Sequence, residues 1–171
     1  LLLVQWLKHI GARVIGTASN DAKADLATAA GADAMIVYSR DAVAPRVREL
    51  TGDHGVDVVF DGVGKSTFEG SLDSLKRRGL LASFGNASGP VGAVDFAILA
   101  RKGSLFATRP TLFDYYTNRE EIERYAGRVL DMVACGVLDV RIDQRYPLAD
   151  AAHAHRDLEA RATTGSTLLM C

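Results

Sequence analysis

The turn after the first predicted strand, residues 12–17 (ARVIGT), carries small neutral residues and is followed by a lysine. The turn itself is Gly16–Ser19, and Lys23 comes within one helical turn of it. Dinucleotide-binding domains that use NAD usually carry Asp or Glu in this turn, where the acid binds the ribose 2′-hydroxyl. A small turn with a nearby cation suits a 2′-phosphate, and hence NADP, although an ordinary exposed lysine has the same spacing. Tyr38, at the end of the next predicted strand, either reaches the same adenosine end or packs at the sheet edge.

The chain is organised around Val56–Gly64, which reads VDVVFDGVG. Its apolar run, Val58–Phe60, predicts a strand covered on both faces, and Asp61 begins a turn that contains two glycines. The residues that follow complete the sequence GVGKST, which looks like the end of a phosphate-binding P-loop. The full motif needs glycine at position 59, where this chain has valine. We therefore interpret the segment as a tight turn from a strand into a helix.

A capping pattern and an apolar stripe predict the helix that follows this turn. Ser66 is the predicted N-cap, and Glu69 is its partner in a capping box. The helix is expected to continue through Arg78 and to end at Gly79. Its apolar stripe consists of Phe68, Leu72 and Leu75. A strand at Leu80–Phe84 follows at once, and strand, helix and strand together form the parallel unit of an open α/β sheet.

Two further strand ends carry residues able to contact a ligand, since open α/β sheets bind ligands beyond the carboxyl ends of their strands. After Phe84, Gly85 allows close approach of the backbone, and Asn86 offers both donors and acceptors. A common Gly-Asn turn has the same sequence. The strand at Ser104–Thr108 is followed by Arg109, which is either a solvated charge or a ligand contact.

Composition excludes several classes of protein. The 171 residues are 48% hydrophobic and 24% charged, with a formal net charge of −1, which excludes a disordered chain and gives no sign of a nucleic-acid partner. No apolar run reaches membrane-spanning length, so no membrane association is expected. Cys135 and Cys171 are isolated, which argues against a disulfide framework or a cysteine zinc site and favours the cytoplasm. His153 and His155 are too close in sequence for a metal pair on a helix, and no general acid or base stands out.

Strands and helices alternate from end to end, which predicts an α/β fold with a doubly wound parallel sheet of Rossmann type. Either Asn20 or Asp21 is the expected N-cap of one helix, and Asn118, with Glu121, is expected to begin the longest helix. The last elements are predicted as a weak strand at Val140–Tyr146, a helix at Leu148–Glu159 and a strand at Ser166–Met170. The first residues, LLLVQWLKHIG, read as a helix without a start signal, so we expect the chain to be a fragment that begins inside a helix.

Several of these stretches together resemble the zinc-free, zeta-crystallin-like quinone oxidoreductases of the medium-chain dehydrogenase/reductase superfamily. The stretches are VIGT with Lys23, Tyr38, VVFDGVG, SLDSLKRRGLLASFGNASG, KGSLFATRPTL and RATTGSTLL, and they extend over essentially the whole chain. The resemblance implies that residues 1–171 form an NADP-binding domain of a cytoplasmic reductase that uses NADPH to reduce quinones or similar conjugated carbonyls. An enoyl or alkenal reductase and a non-catalytic crystallin-like protein are the alternatives.

The resemblance also implies particular residues and an assembly. The adenosine ribose and its 2′-phosphate would lie near Gly16, Lys23, Tyr38 and Arg161. The nicotinamide half would lie near Phe84, Gly85, Asn86, Thr108 and Arg109. Gly62 stands where some relatives have serine, so it offers no side-chain contact. A homodimer is implied, in which Ser104–Thr108 pairs with its symmetry mate.

Two further expectations concern what the resemblance places before Leu1. The glycine-rich pyrophosphate loop and the first strand of the sheet are absent from the chain, and so is the family's substrate-side domain. We therefore expect a gap in the sheet between the strand at residues 12–17 and the strand at Val56–Asp61. We also expect these 171 residues alone to bind NADPH weakly and to reduce no quinone.

Overall fold

The computed structural model describes all 171 residues and confirms an α/β chain with parallel strands. The helices are α1 (Leu2–His9), α2 (Asp21–Ala29), α3 (Val43–Leu50), α4 (Phe68–Ser74), α5 (Ala97–Arg101), α6 (Arg119–Ala134) and α7 (Ala151–Glu159). The strands are β1 (Ile15–Ala18), β2 (Ala34–Val37), β3 (Val56–Asp61), β4 (Leu75–Ser83), β5 (Phe106–Thr108), β6 (Ile142–Pro147) and β7 (Ser166–Met170). Single 3-10 turns lie at Leu112–Asp114 and Leu148–Asp150. None of these helices combines the length and the hydrophobicity that a membrane span requires.

The strands form three separate sheets. The sheet of β1 and β2 is distinct from the parallel sheet ordered β3, β4, β5, as the expected gap between β1 and β3 requires. The parallel α/β fold predicted from the sequence is confirmed, and the last two strands form a sheet of their own. These two strands, β6 and β7, pair in parallel with each other and with no other strand.

The chain folds as two compact units, each with its own apolar core. The first unit comprises Leu1–Met35 and Tyr125–Cys171, and the second comprises Ile36–Arg124. In the first unit the buried core residues are Val14, Ala27 and Ala32, packed against Val4, Leu7 and Met35. In the second unit they are Leu72, Leu75, Leu81 and Leu105, packed against Val56, Val59, Phe68, Ile98 and Leu99. Leu72, Leu75 and Leu81 are each no more than 1% exposed, so α4 and β4 together supply most of this core.

The boundary between α4 and β4 differs from the prediction. The helix ends at Ser74 rather than at Arg78, and β4 begins at Leu75, which pairs with Val56. Arg78 has a φ of 59° and its N–H donates to Gly103 O at 2.9 Å, a geometry that no helix interior allows. The apolar stripe places Leu75 correctly in the core, but as a strand residue.

The prediction that β3 is covered on both faces is also wrong. Val59 packs against the core, whereas Val58 and Phe60 are 38% and 46% exposed. Successive side chains of a strand point to opposite faces, so one face of β3 is covered and the other is open. Of the two candidate caps of α2, the structure selects Asn20, and it confirms Asn118 for α6. Asn20 Oδ1 and Asn118 Oδ1 each accept from the third N–H of their helices.

Candidate cofactor-binding site

Two groups of predicted site residues lie in different units, and each is described within its own unit. The Asp61 cluster, in the second unit, consists of the turn Asp61–Thr67, the turn Phe84–Gly89 and Arg109. The Lys23 cluster, in the first unit, consists of Gly16, Lys23 and the turn Arg161–Gly165.

The carboxylate of Asp61 organises the first turn of its cluster. It accepts the N–H of Val63 at 2.8 Å and that of Gly64 at 3.0 Å, both through Oδ1. The Thr67 hydroxyl donates to both carboxylate oxygens at 2.9 and 2.8 Å, and the Ser71 hydroxyl donates to Oδ2 at 2.7 Å. Asp61 is only 5% exposed, so these donors replace water around a buried charge.

Two opposing effects set the pKa of Asp61. Burial raises the pKa because it disfavours the charged form. The hydrogen bonds from the Gly64 N–H, the Ser71 and Thr67 hydroxyls and the Val63 N–H lower it, and together they outweigh burial. The pKa therefore lies below its ordinary value of 3.8, and the group is a carboxylate at neutral pH.

Thr67, not the predicted Ser66, occupies the N-cap position of α4, and the turn before it is not a P-loop. The Ser66 N–H donates to Ser88 Oγ at 2.9 Å, and the Lys65 N–H donates to Gly89 O at 3.0 Å. With the N–H groups of Val63 and Gly64 held by Asp61, four successive amides already have partners within the protein. No amide of this run is available to cradle a phosphate, which supports the interpretation as a strand-to-helix turn.

The second turn of the Asp61 cluster lies against the first at backbone distance. The carbonyl of Asp61 accepts the N–H groups of Phe84 at 2.9 Å and Gly85 at 3.3 Å. A Cβ at Gly85 would lie 2.1 Å from Gly62 O, so no other residue fits there without movement of the backbone. Gly64, with a φ of +90°, is restricted similarly, because a Cβ there would meet Gly89 O at 2.7 Å.

Arg109 joins the end of β5 to the second turn. Its Nη1 donates to Ser83 O at 2.8 Å and to Gly85 O at 3.3 Å. In the amide orientation that pairs donors with acceptors, Asn86 Oδ1 accepts from Arg109 Nη2 at 3.2 Å, and its Nδ2 donates to Gly85 O at 2.9 Å. Thr108 is exposed at the end of β5, where it pairs with Ala82 of β4.

The structure therefore brings together Phe84, Gly85, Asn86 and Arg109, and Thr108 precedes Arg109 in sequence. The side chain of Phe84 is 53% exposed, which leaves one surface of the cluster open to a ligand. The predicted residues of the nicotinamide half thus form one connected group at the carboxyl ends of β3, β4 and β5, the edge at which such sheets bind ligands.

In the first unit, Lys23 and Arg161 lie in contact. Lys23 Nζ donates to the backbone carbonyl of Arg161 at 2.8 Å, although 138 positions separate the two residues. Arg161 has a φ of 58°, the left-handed region, and its side chain is exposed. Gly16 lies in β1, so the turn predicted at Gly16–Ser19 is wrong except for its last residue, and a Cβ at Gly16 would come within 2.5 Å of Met35 Sδ. Tyr38, just after β2, belongs to the second unit and is 45% exposed.

Asp143 fixes the turn that carries Arg161. Its carboxylate accepts from Thr164 Oγ1 at 2.7 Å and from Arg141 Nε at 2.6 Å. These hydrogen bonds, the Thr164 bond foremost, lower the pKa of Asp143. Gly165 has a φ of +61°, and a Cβ there would lie 2.8 Å from Arg141 O, so the turn is held closely against β6.

Sequence reasoning did not single out Asp61 or Asp143 as functional. A signal for Asp61 was present, because it is followed by two hydroxyl residues, Thr67 and Ser71, six and ten positions later, which a short helix brings back toward the strand end. No comparable signal existed for Asp143, since its partner Thr164 lies 21 positions away across a helix.

Comparison with known proteins assigns this chain to a family. The sequence profile described as zinc-binding dehydrogenase matches residues 1–134. The chain belongs to the zinc-binding dehydrogenase family. Relatives that are 48–51% identical to this chain are named quinone oxidoreductases, which confirms the resemblance to that branch of the medium-chain dehydrogenase/reductase superfamily.

Three similar proteins show how much of this chain, and how much of each relative, the similarity covers. A quinone oxidoreductase of Salmonella typhimurium is 51% identical over 172 residues, covering 99% of this chain and 53% of that protein. A 2-haloacrylate reductase of a Burkholderia species is 44% identical, covering 99% of this chain and 51% of that protein. The crystal structure of Escherichia coli quinone oxidoreductase complexed with NADPH matches with a TM-score of 0.95 at 46% identity, covering 99% of this chain and 53% of that one.

The chain spans about half the length of the curated relatives it matches. Although the name of the zinc-binding dehydrogenase family mentions zinc, no group of three or more His, Cys, Asp or Glu residues in this chain is placed to hold a metal ion.

Proposed function

We propose that this chain is the NADPH-binding part of a reductase that transfers hydride to quinones or similar conjugated carbonyls. The observation that carries the proposal is the Lys23 cluster, in which Lys23 Nζ donates to the backbone carbonyl of Arg161 and residues Gly16–Ser19, at the end of β1, include no acid. Two cations in this setting favour a 2′-phosphate over a ribose hydroxyl. The NADPH complex of the Escherichia coli relative supports the same cofactor.

Within each unit, the residues have the chemistry that one end of NADPH requires. Gly16 presents no side chain, and Lys23 and Arg161 supply positive charge for the 2′-phosphate, with Tyr38 as the proposed neighbour of the adenosine. Phe84, Gly85 and Asn86 present an exposed ring, close backbone and an amide toward the nicotinamide half, and Thr108 and Arg109 flank them. NADPH, when bound, supplies the hydride, and the part of this chain is to position the cofactor and to balance its charge. We assign no catalytic acid or base within these residues.

A reductase of activated carbon–carbon double bonds is the second candidate. The similarity to a 2-haloacrylate reductase supports it, because that relative is 44% identical over 99% of this chain. Both candidates use the same cofactor site, so the two differ in the substrate and not in the chemistry of these residues.

Turnover by the full-length protein tests the proposal. NADPH oxidation is measured by absorbance with 1,4-benzoquinone and, separately, with 2-chloroacrylate, each against an assay without enzyme. We expect quinone-dependent oxidation of NADPH and slower oxidation of NADH. Faster turnover of 2-chloroacrylate than of the quinone would favour the second candidate, and tight NADPH binding without turnover of either would contradict both.

We also propose that the protein is a cytoplasmic homodimer built on β5. The strand lies at the end of its sheet, Phe106 is 57% exposed, and an open strand edge favours pairing with a second copy. Light scattering should give twice the mass of one chain. Phe106→Pro, which removes a backbone donor, should shift the protein toward monomer more than Phe106→Ala does. A monomeric wild-type protein at high concentration would contradict the proposal.

A further inference from the structure

Asp61 is the only acidic residue among the buried residues of the chain, and no cation compensates it. The groups that contact its carboxylate are the N–H groups of Val63 and Gly64 and the hydroxyls of Thr67 and Ser71. A buried charge held by hydrogen-bond donors alone is costly unless every donor is in place, so its geometry is narrowly defined.

The main chain of the same residue acts on the second turn. The carbonyl of Asp61 accepts the N–H groups of Phe84 and Gly85 at 2.9 and 3.3 Å. The side chain therefore fixes the turn that precedes α4, while the backbone of that residue fixes the turn beyond β4. A Gly85 Cβ would lie only 2.1 Å from Gly62 O, so the two turns are in close backbone contact.

We propose that Asp61 is a positioning residue for the nicotinamide half of the cofactor, acting through Phe84 and Gly85. This inference rests on the proposed function. Asp61 touches no cofactor in this role. It holds the turn Asp61–Thr67 in the one conformation that places Phe84 and Gly85 at the sheet edge, and the effect depends on hydrogen bonding rather than on negative charge.

The distinction between hydrogen bonding and charge follows from what each substitution retains. In Asp61→Asn, the amide oxygen still accepts the N–H groups of Val63 and Gly64, and the amide nitrogen donates to the hydroxyls of Thr67 and Ser71, which also act as acceptors. In Asp61→Ala, all four donors lose their partner. Thr67→Val keeps the carboxylate and removes one donor, and it serves if Asp61→Ala does not fold.

Binding of two ligands to the full-length protein tests the proposal. NADPH occupies both halves of the site, whereas 2′,5′-ADP occupies the adenosine half alone. Asp61→Ala should weaken NADPH binding about tenfold or more and change 2′,5′-ADP binding by less than about twofold, which is the size of effect expected from a misplaced contact. Asp61→Asn should restore most of the NADPH affinity, and Thr67→Val should lie between Asp61→Ala and the wild type.

Ser74→Ala is the matched control. Ser74 is equally buried in α4, but its hydroxyl donates to Gly70 O within the helix and contacts neither turn, so both affinities should match the wild type. Equal weakening of both ligands in Asp61→Ala and Thr67→Val, or wild-type NADPH affinity in both, would overturn the inference. An Asp61→Asn as weak as Asp61→Ala would overturn the hydrogen-bonding mechanism. A wild-type protein that binds neither ligand would instead overturn the proposed function, and with it this inference.

Discussion

The Asp61 cluster and the Lys23 cluster hold their residues in different ways. In the Asp61 cluster the contacts are between backbone atoms. Gly85 packs directly against Gly62, and the Asp61 carbonyl accepts hydrogen bonds from two N–H groups of the neighbouring turn. In the Lys23 cluster, a single side-chain bond from Lys23 to the Arg161 carbonyl joins two exposed segments. The Asp61 cluster is therefore held by close backbone packing that tolerates almost no substitution, whereas the Lys23 cluster is held by one flexible side chain.

The difference suggests a division of roles. A cluster held by buried hydrogen bonds and close-packed glycines contributes to folding, so substitutions there change stability as well as ligand geometry. A cluster held by an exposed ammonium group contributes little to folding, because exposed charge contacts add at most about 1 kcal/mol. Substitutions in the Lys23 cluster should therefore change the choice of ligand and leave stability nearly unchanged.

The largest expected effect is that of Gly85→Ala. A Cβ placed 2.1 Å from Gly62 O forces the two turns apart, and we expect unfolding to become easier by about 3 kcal/mol, the upper range for overpacking. Gly70→Ala, in α4 of the same unit, is the control, because nothing lies within 4 Å of its Cβ and alanine favours a helix by about 1 kcal/mol. Urea unfolding measures both. Equal stability of the two variants would mean that the turns are not held together as described.

In contrast to Gly85→Ala, Lys23→Ala should change cofactor binding and leave stability nearly unchanged. Loss of a charge-assisted phosphate contact should weaken NADPH binding by about 1.5–3 kcal/mol, while NADH binding and urea unfolding remain close to wild type. Titration of the full-length protein with both cofactors measures this, and Lys76→Ala, which removes an exposed lysine outside both clusters, is the control. An unchanged ratio of NADPH to NADH affinity would remove Lys23 from the site.

A smaller effect is expected from acid. Because the pKa of Asp61 is lower in the folded than in the unfolded chain, the folded state binds fewer protons, and this carboxylate stabilises the fold above its ordinary pKa of 3.8. That contribution is lost as the pH falls through the lower, folded pKa. The free energy of unfolding should therefore fall less steeply below about pH 5 in Asp61→Asn than in the wild type. Identical acid profiles would show that Asp61 is not held as a carboxylate.

Much of the fold could be predicted from local patterns. The strand β7 was predicted with its observed bounds, and the asparagine caps of α2 and α6 were predicted, the first as one of two candidates, because caps and apolar runs are properties of a few neighbouring residues. The separation of β1 from β3 also followed from the order of strands in the resembling family. Those features depend on short-range propensity or on known topology.

The features that the sequence predicted wrongly, or did not predict, depend on tertiary contacts. Leu75 fits a helical stripe as well as a strand, and only its pairing with Val56 decides between them. Ser66 is a residue type that often caps helices, but in the structure its N–H donates to Ser88 Oγ. Thr67 occupies the N-cap position, and its hydroxyl donates to the Asp61 carboxylate. The contact between Lys23 and Arg161 extends over 138 positions, and residue spacing alone could not predict it.

The central claim is that this chain holds the 2′-phosphate of NADPH, and calorimetric titration of the full-length protein with NADPH and NADH tests it most directly. We expect NADPH to bind at least about tenfold more tightly than NADH, a difference of about 1.4 kcal/mol. The reason is that Lys23 and Arg161 are cationic and residues Gly16–Ser19 include no acid. Equal affinities, or tighter binding of NADH, would contradict the claim.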